Sequence, residues 1–155
     1  MPLGFTPEIS ESTVYARLGR DPGLYLVEVR KIGRQVERDR TLITDTLRGR
    51  IPSDMVEWIT ARDVDPIIEY QTVHNCTVIY IGKTDERGLK DRFRTLFLGG
   101  HTNLISTWIL LQHDWELEFW YRKLNESEVA PEEKRLIAQY RILHDNKRPC
   151  LNRKG

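Results

Sequence analysis

Apolar positions along the chain recur with two different periods, and the changes of period mark out the elements. "GLYLVEVRK" (23–31) alternates, setting Tyr25, Val27 and Val29 on one face of a strand. "CTVIYIG" (76–82) is a short β-branched and aromatic run stopped by glycine, which reads as a second strand. "WELEFWYR" (115–122) alternates Trp115, Leu117, Phe119 and Tyr121 with charged or polar-tipped partners, the pattern of a half-buried strand. Helical spacing governs "GLKDRFRTLF" (88–97), where Leu89, Phe93 and Leu96 share a face. Gly99-Gly100 closes that helix, and a short apolar helix follows near 102–111. A last helix runs from about Ser127 to His144, with Val129, Leu136, Ile137, Tyr140 and Leu143 in one stripe.

The remaining segments are read from their punctuation. Thr6-Pro7-Glu8 is a hydroxyl, a proline and an acid, the order of a helix start, and that helix is expected to end near Gly19. Asp21-Pro22-Gly23 is turn chemistry. From about Gln35 to Arg62 the pattern is helical, broken at Pro52 and restarted by a Ser53-Asp54 cap, with an extended piece at 66–72. The whole predicts an α+β domain around a small sheet.

A chain of 155 residues is most economically one domain, long enough to bury roughly 70% of its unfolded surface. With 39% hydrophobic and 30% charged residues it has the composition of a folded globular protein. No stretch approaches about 18 consecutive apolar residues, so no membrane span is expected. The start lacks the basic and apolar regions of a secretory signal. Cys76 and Cys150 are too few for a disulfide framework and lie in no zinc spacing, so reduced thiols and cytoplasmic residence are the default expectation. A net charge of +1 gives no overall pull on nucleic acid. Charge is nevertheless segregated. Arg30, Lys31, Arg34, Arg38, Arg40, Arg48 and Arg50 crowd residues 30–50, whereas Asp54, Glu57, Asp63, Asp65 and Glu69 make 53–70 acidic. A basic face for phosphate and a solvated helix surface explain these counts equally, and the second is the simpler reading.

Two charged residues fall where apolar ones belong. On the wheel of the last helix Glu133 lies in the middle of the apolar stripe, three residues before Leu136 and four before Ile137, while Glu132 points to the side. A carboxylate aimed at a core needs a partner or a metal, and a nearby arginine is the ordinary structural answer. Arg92 sits at the edge of the 88–97 apolar face, with Lys90 and Arg94 directed elsewhere, and snorkelling is the ordinary answer there. Tyr25 and Tyr80 taken singly are strand tyrosines whose usual fate is core packing.

In order along the chain, Gly23-Leu24-Tyr25, Tyr80-Ile81-Gly82, Leu89-x-x-Arg92-Phe93, Glu133-x-x-Leu136-Ile137 and Asn152 in "PCLN" resemble the motifs of the GIY-YIG nuclease superfamily, over residues 23–152. The resemblance implies a three-stranded, mainly antiparallel sheet flanked by helices. Residues 32–74 then read as a helical insertion between the first two core strands, where compact relatives have a short hairpin. There are two further departures. Leucine replaces isoleucine in the first motif. Several relatives carry a histidine four residues after the arginine, where this chain has Leu96, and His101 is the nearest substitute.

The resemblance also implies an activity, metal-dependent hydrolysis of DNA phosphodiester bonds. Glu133 would be the sole protein ligand of Mg²⁺ or Mn²⁺, and Arg92 would clamp the scissile phosphate. Tyr25 would act as general base with Tyr80 bonded to it or to the attacking water, or the two in exchanged roles. A phenol needs about 4 kcal/mol of help to ionise near neutrality, for which Lys83 and Lys90 are candidate cations. Arg94 and His101 are further candidate substrate contacts, and Asn152 would orient the phosphate or its waters. The partner implied is double-stranded DNA, cut sequence-specifically as by a type II restriction endonuclease, with a homodimer as one arrangement. Alternatives are a repair, recombination or mobile-element nuclease, and a nucleic-acid-binding module without catalysis.

Overall fold

The computed structural model describes residues 5–8, 18–38, 40–44, 49–97 and 105–152. In chain order its strands are β1 (Thr6–Glu8), β2 (Gly23–Lys31), β3 (Leu42–Thr44), β4 (Gly49–Ile51), β5 (Val78–Lys83) and β6 (Glu116–Lys123). Its helices are α1 (Ser53–Ile59), continued by a π-helical turn over Thr60–Val64, then α2 (Asp65–His74), α3 (Gly88–Phe97), α4 (Ile105–Gln112) and α5 (Glu126–Leu143). The chain divides into two compact units. The first comprises Met1–Val29, Thr77–Phe93 and Leu117–Gly155, the second Arg30–Cys76 and Arg94–Glu116. Among the described residues no helix is long and apolar enough to cross a membrane.

The first unit is built on a sheet of order β1-β6-β2-β5. β2 and β5 run antiparallel, with Leu24 opposite Lys83 and Tyr25 opposite Gly82. The amide of Leu124 donates to Pro22 O at 3.0 Å, so the end of β6 meets the start of β2 and this pair is antiparallel too. Leu24, Tyr25, Leu26 and Val27 are all buried, which means that β2 is covered on both faces rather than on the one its alternation suggests. On α5, which packs against β5, Val129, Leu136 and Tyr140 are buried, but Leu143 is 76% exposed and drops out of the expected stripe. The architecture is the expected α+β class, a small antiparallel sheet flanked by helices, with one short edge strand added.

That edge strand corrects the expected helix start. Thr6-Pro7-Glu8 pairs with Tyr121, Trp120 and Phe119 of β6. Proline is tolerated there because an edge strand has ladder positions that need no donor. The remainder of that expected helix, 9–17, lies outside the described residues.

The second unit holds the β3–β4 hairpin, α1, α2 and α4. The helix expected from Gln35 is absent. Residues 32–38 and 40–41 are irregular, and β3 and β4 follow, before Pro52 and α1. Conversely, the piece expected to be extended at 66–72 is helical. Asp65-Pro66 supplies an acid and a proline to the first turn of α2, which continues the π-helical turn without a break. Among the described residues the unit buries the charge of Asp63. Arg62 grips it with Nε and Nη2, both at 2.9 Å, and Ser106 Oγ donates to it as well.

Candidate active site

A row of aromatic rings in the first unit sets the site. Phe119 of β6 stacks on Tyr25 of β2 with ring centroids 5.4 Å apart and planes 16° from parallel. Phe93 of α3 meets Phe119 edge-on at 5.4 Å and 88°, which fixes the roll of the helix that carries Arg92. On the other side of Tyr25 lies Tyr80 of β5, its ring 5.8 Å away and tilted by 33°. Tyr25 can cross to Tyr80 only because the residue opposite it has no side chain. A Cβ on Gly82 would stand 2.5 Å from both Cζ and Oη of Tyr25 and 2.8 Å from Cε1 of Tyr80. The glycine that ends the second strand motif is therefore the floor on which the first motif's tyrosine rests.

The loop entering α3 is tied to the start of β2. The amide of Gly23 donates to Thr84 Oγ1 at 3.0 Å, and Thr84 N donates to Gly23 O at 3.1 Å. Gly88, with φ of +83° and Arg20 backbone against its Cα, opens the helix in a conformation only glycine adopts easily. These contacts bring Tyr25, Tyr80 and Arg92 into one neighbourhood with Glu133.

The electrostatics follow from burial. Tyr25 is 1% exposed, and that burial, reinforced by Tyr80 and by the negative charge of Glu133, pushes its phenol well above the usual range. Only Arg92 pulls it down. Its hydroxyl is within hydrogen-bonding reach of Tyr80, which is only partly buried. Glu133 is partly buried and has no hydrogen bond or ion pair among the described residues. Desolvation raises its carboxyl above the ordinary value, against a pull from Lys83. Its neighbour Glu132, expected to need no partner, takes two: Arg122 at 2.7 Å and Arg135 at 3.0 Å. Those bonds, with Arg135's the stronger influence, lower its carboxyl. The arginine that would have explained Glu133 structurally is thus spent on the adjacent residue.

Arg92 donates from Nη2 to Asp85 Oδ2 at 3.2 Å, and its Nε is buried with no hydrogen-bond partner among the described residues. Arg92 and Glu133 both act on Tyr25, so a cation and a carboxylate lie in reach of the same phenol. Among the described residues no three or more His, Cys, Asp or Glu side chains converge on one point. A hard divalent cation here would rest on Glu133 and water, a donor set suited to such an ion.

Other expected residues fall elsewhere. The carboxamide of Asn152 is engaged by the backbone of Ile81, accepting from N at 2.9 Å and donating to O at 2.6 Å, so it holds the strand next to Tyr80. Lys83 ends β5 exposed, and its charge pulls on Glu133. Lys90 is partly buried on α3, Arg94 is exposed on the same helix, and His101 lies outside the described residues. Sequence reasoning passed over Asp85, Phe119 and the packing role of Gly82. The only signal for Asp85 was its position in a turn, "TDERG", ahead of the helix. No protein-family model, curated protein or solved structure matches this chain.

Proposed function

We propose that this chain is a metal-dependent endonuclease that hydrolyses phosphodiester bonds of double-stranded DNA by the chemistry of the GIY-YIG superfamily. The observation that carries the reading is Glu133. It is a desolvated carboxylate left without a hydrogen-bonding or ionic partner among the described residues, in the electrostatic neighbourhood of two phenols and an arginine whose Nε is also unpartnered. Mg²⁺ or Mn²⁺ held by Glu133 and water would supply countercharge to the phosphate and its leaving oxygen.

The protein's own groups divide the remaining work. Arg92, whose side chain is partly exposed, is the cation that would clamp a phosphate oxygen, a task its planar fork suits. Tyr25 is the phenol that keeps its proton, since burial resists its ionisation. Its neighbour Tyr80, with ring centroids 5.8 Å apart, is the more exposed of the two and the better placed to face water. The burial difference thus favours Tyr80 as the base toward the attacking water and Tyr25 as the donor that stabilises its phenolate. Asn152 holds the strand that carries Tyr80.

Incubation of the purified protein with supercoiled plasmid and Mg²⁺, read on a gel, tests the reading. Discrete fragments support a sequence-specific, restriction-type cutter, and a smear supports a non-specific nuclease. Retarded but intact DNA would turn the reading into a binding module without catalysis. Folded Glu133→Ala protein that cleaves normally would remove the carboxylate from the chemistry.

A further inference from the structure

We propose that Asp85 is a positioning residue for Arg92, an inference that rests on the endonuclease reading above. Asp85 lies in the loop between β5 and α3, and four N–H groups converge on its carboxylate, three from Arg87 (its amide, Nη2, and Nε at 3.2 Å to Oδ2) and one from Arg92. Oδ1 accepts the Arg87 amide at 2.8 Å, closing the turn. Oδ2 accepts Arg87 Nη2 at 2.8 Å and Arg92 Nη2 at 3.2 Å. The side chains of Arg92 and Asp85 are 23% and 24% exposed, whereas that of Arg87 is 54% exposed. The two arginine contacts therefore differ in kind. Arg87 is a surface ion pair within the turn, while Arg92 is held through Nη2 in a partly desolvated setting, its Nε buried and without a hydrogen-bond partner among the described residues.

An acid beside a phosphate clamp repels the phosphate in the ground state. It is useful where orientation outweighs attraction, because a guanidinium on a long side chain is otherwise free to collapse onto other acceptors. Asp85 holds Nη2 and so limits the directions in which the guanidinium can face.

The test is steady-state plasmid cleavage by wild-type protein and by Asp85→Asn, Asp85→Glu, Arg87→Ala, Arg92→Ala and the Asp85→Asn/Arg92→Ala double variant. Asparagine keeps the turn, since it still accepts the Arg87 amide, and removes the charge. Asp85→Asn is expected to lower kcat roughly a hundredfold with KM unchanged or lower. Asp85→Glu should recover part of the loss, and Arg87→Ala should stay within about threefold of wild type, as for an exposed pair. The double variant should be no slower than Arg92→Ala, because a residue acting only through another adds nothing once that partner is gone. Wild-type kcat in Asp85→Asn, or a loss in Arg87→Ala as large as in Asp85→Asn, would overturn the inference and leave Asp85 a turn former. A wild-type protein that cleaves no DNA would instead overturn the endonuclease reading, and the role of Asp85 in it.

Discussion

At the scale of single residues, the informative groups are those whose charge the fold leaves unbalanced. Glu133 was legible in the sequence because the helical wheel set it among apolar neighbours, and among the described residues it has no hydrogen-bonding or ionic partner while Glu132 takes both arginines. Its folded-state pKa lies above the unfolded value of 4.5. Its contribution to stability is therefore present in full below about pH 4.5 and is lost as pH rises through the folded pKa, so at neutral pH the ionised form is a burden. Glu133→Gln should stabilise the cation-free protein at pH 7 by about 1 kcal/mol, allowing for partial solvent screening, which is about 2–4 °C in Tm. Adding Mg²⁺ should raise the Tm of wild type and not of the variant, by the linkage of binding to folding. Thermal melts with and without the cation check both halves. Equal response of the two proteins to Mg²⁺ would remove Glu133 as a ligand. Tyr25 obeys the same sign at the other end of the scale. Its pKa is raised above 10.0, so stability holds below that pH and then falls as pH rises toward the folded value, by up to about 1.4 kcal/mol per pH unit. Urea unfolding from pH 8 upward should show that decline in wild type and a flatter course in Tyr25→Phe.

At the scale of elements, the strands and helices that carry the site were the ones with clean periodicity. The 23–31 strand and the 88–97 helix have the bounds their patterns predict. The failures lie where two local signals compete. Thr-Pro-Glu reads as a helix cap in isolation, yet as an edge strand beside β6 the same proline offends nothing. The segment from Gln35 is rich in charges spaced like those of a helix, but its β-branched residues at 43–44 and 51 pair in a hairpin instead. Roles were legible only as far as residue type: the sequence suggested that Asn152 touches substrate, and only coordinates showed its amide bound to Ile81. The glycine of β5 makes the coupling between elements testable. Gly82→Ala introduces a Cβ at 2.5 Å from Tyr25, so the ring must leave its stack on Phe119 or β5 must shift from β2. The expected cost is about 1–3 kcal/mol in urea unfolding, together with loss of plasmid cleavage that exceeds what lost stability explains. Wild-type cleavage by Gly82→Ala would mean that the placement of Tyr25 on that floor does not matter to the reaction.

At the scale of the whole molecule, a net charge of +1 leaves affinity for DNA to local cations, and the structure sorts these by whether they are already neutralised. The basic run at 30–50 offered a phosphate-binding face. Among its described members Arg34 pairs with Asp114 at 2.7 Å, Arg38 with Asp65 at 2.5 Å and Arg40 with Glu37 at 2.9 Å. Each of these cations would bring its own carboxylate to a phosphate, so the segregation seen along the sequence is largely undone in space. Acids distant in sequence, Asp65 and Asp114, do the neutralising, and no count along the chain could have revealed that. Lys83 differs. It is exposed, and its charge pulls on Glu133 in the candidate site. Counterion release turns this contrast into a measurement, since each phosphate contact contributes close to one unit to the slope of log K against log salt. Binding of a DNA duplex in Ca²⁺, titrated across salt concentrations, should show a slope shallower by about one unit in Lys83→Ala. Arg34→Ala and Arg38→Ala should leave it nearly unchanged. The opposite ranking would move the proposed DNA-contacting surface from the tyrosine-bearing unit to the paired arginines of the second unit.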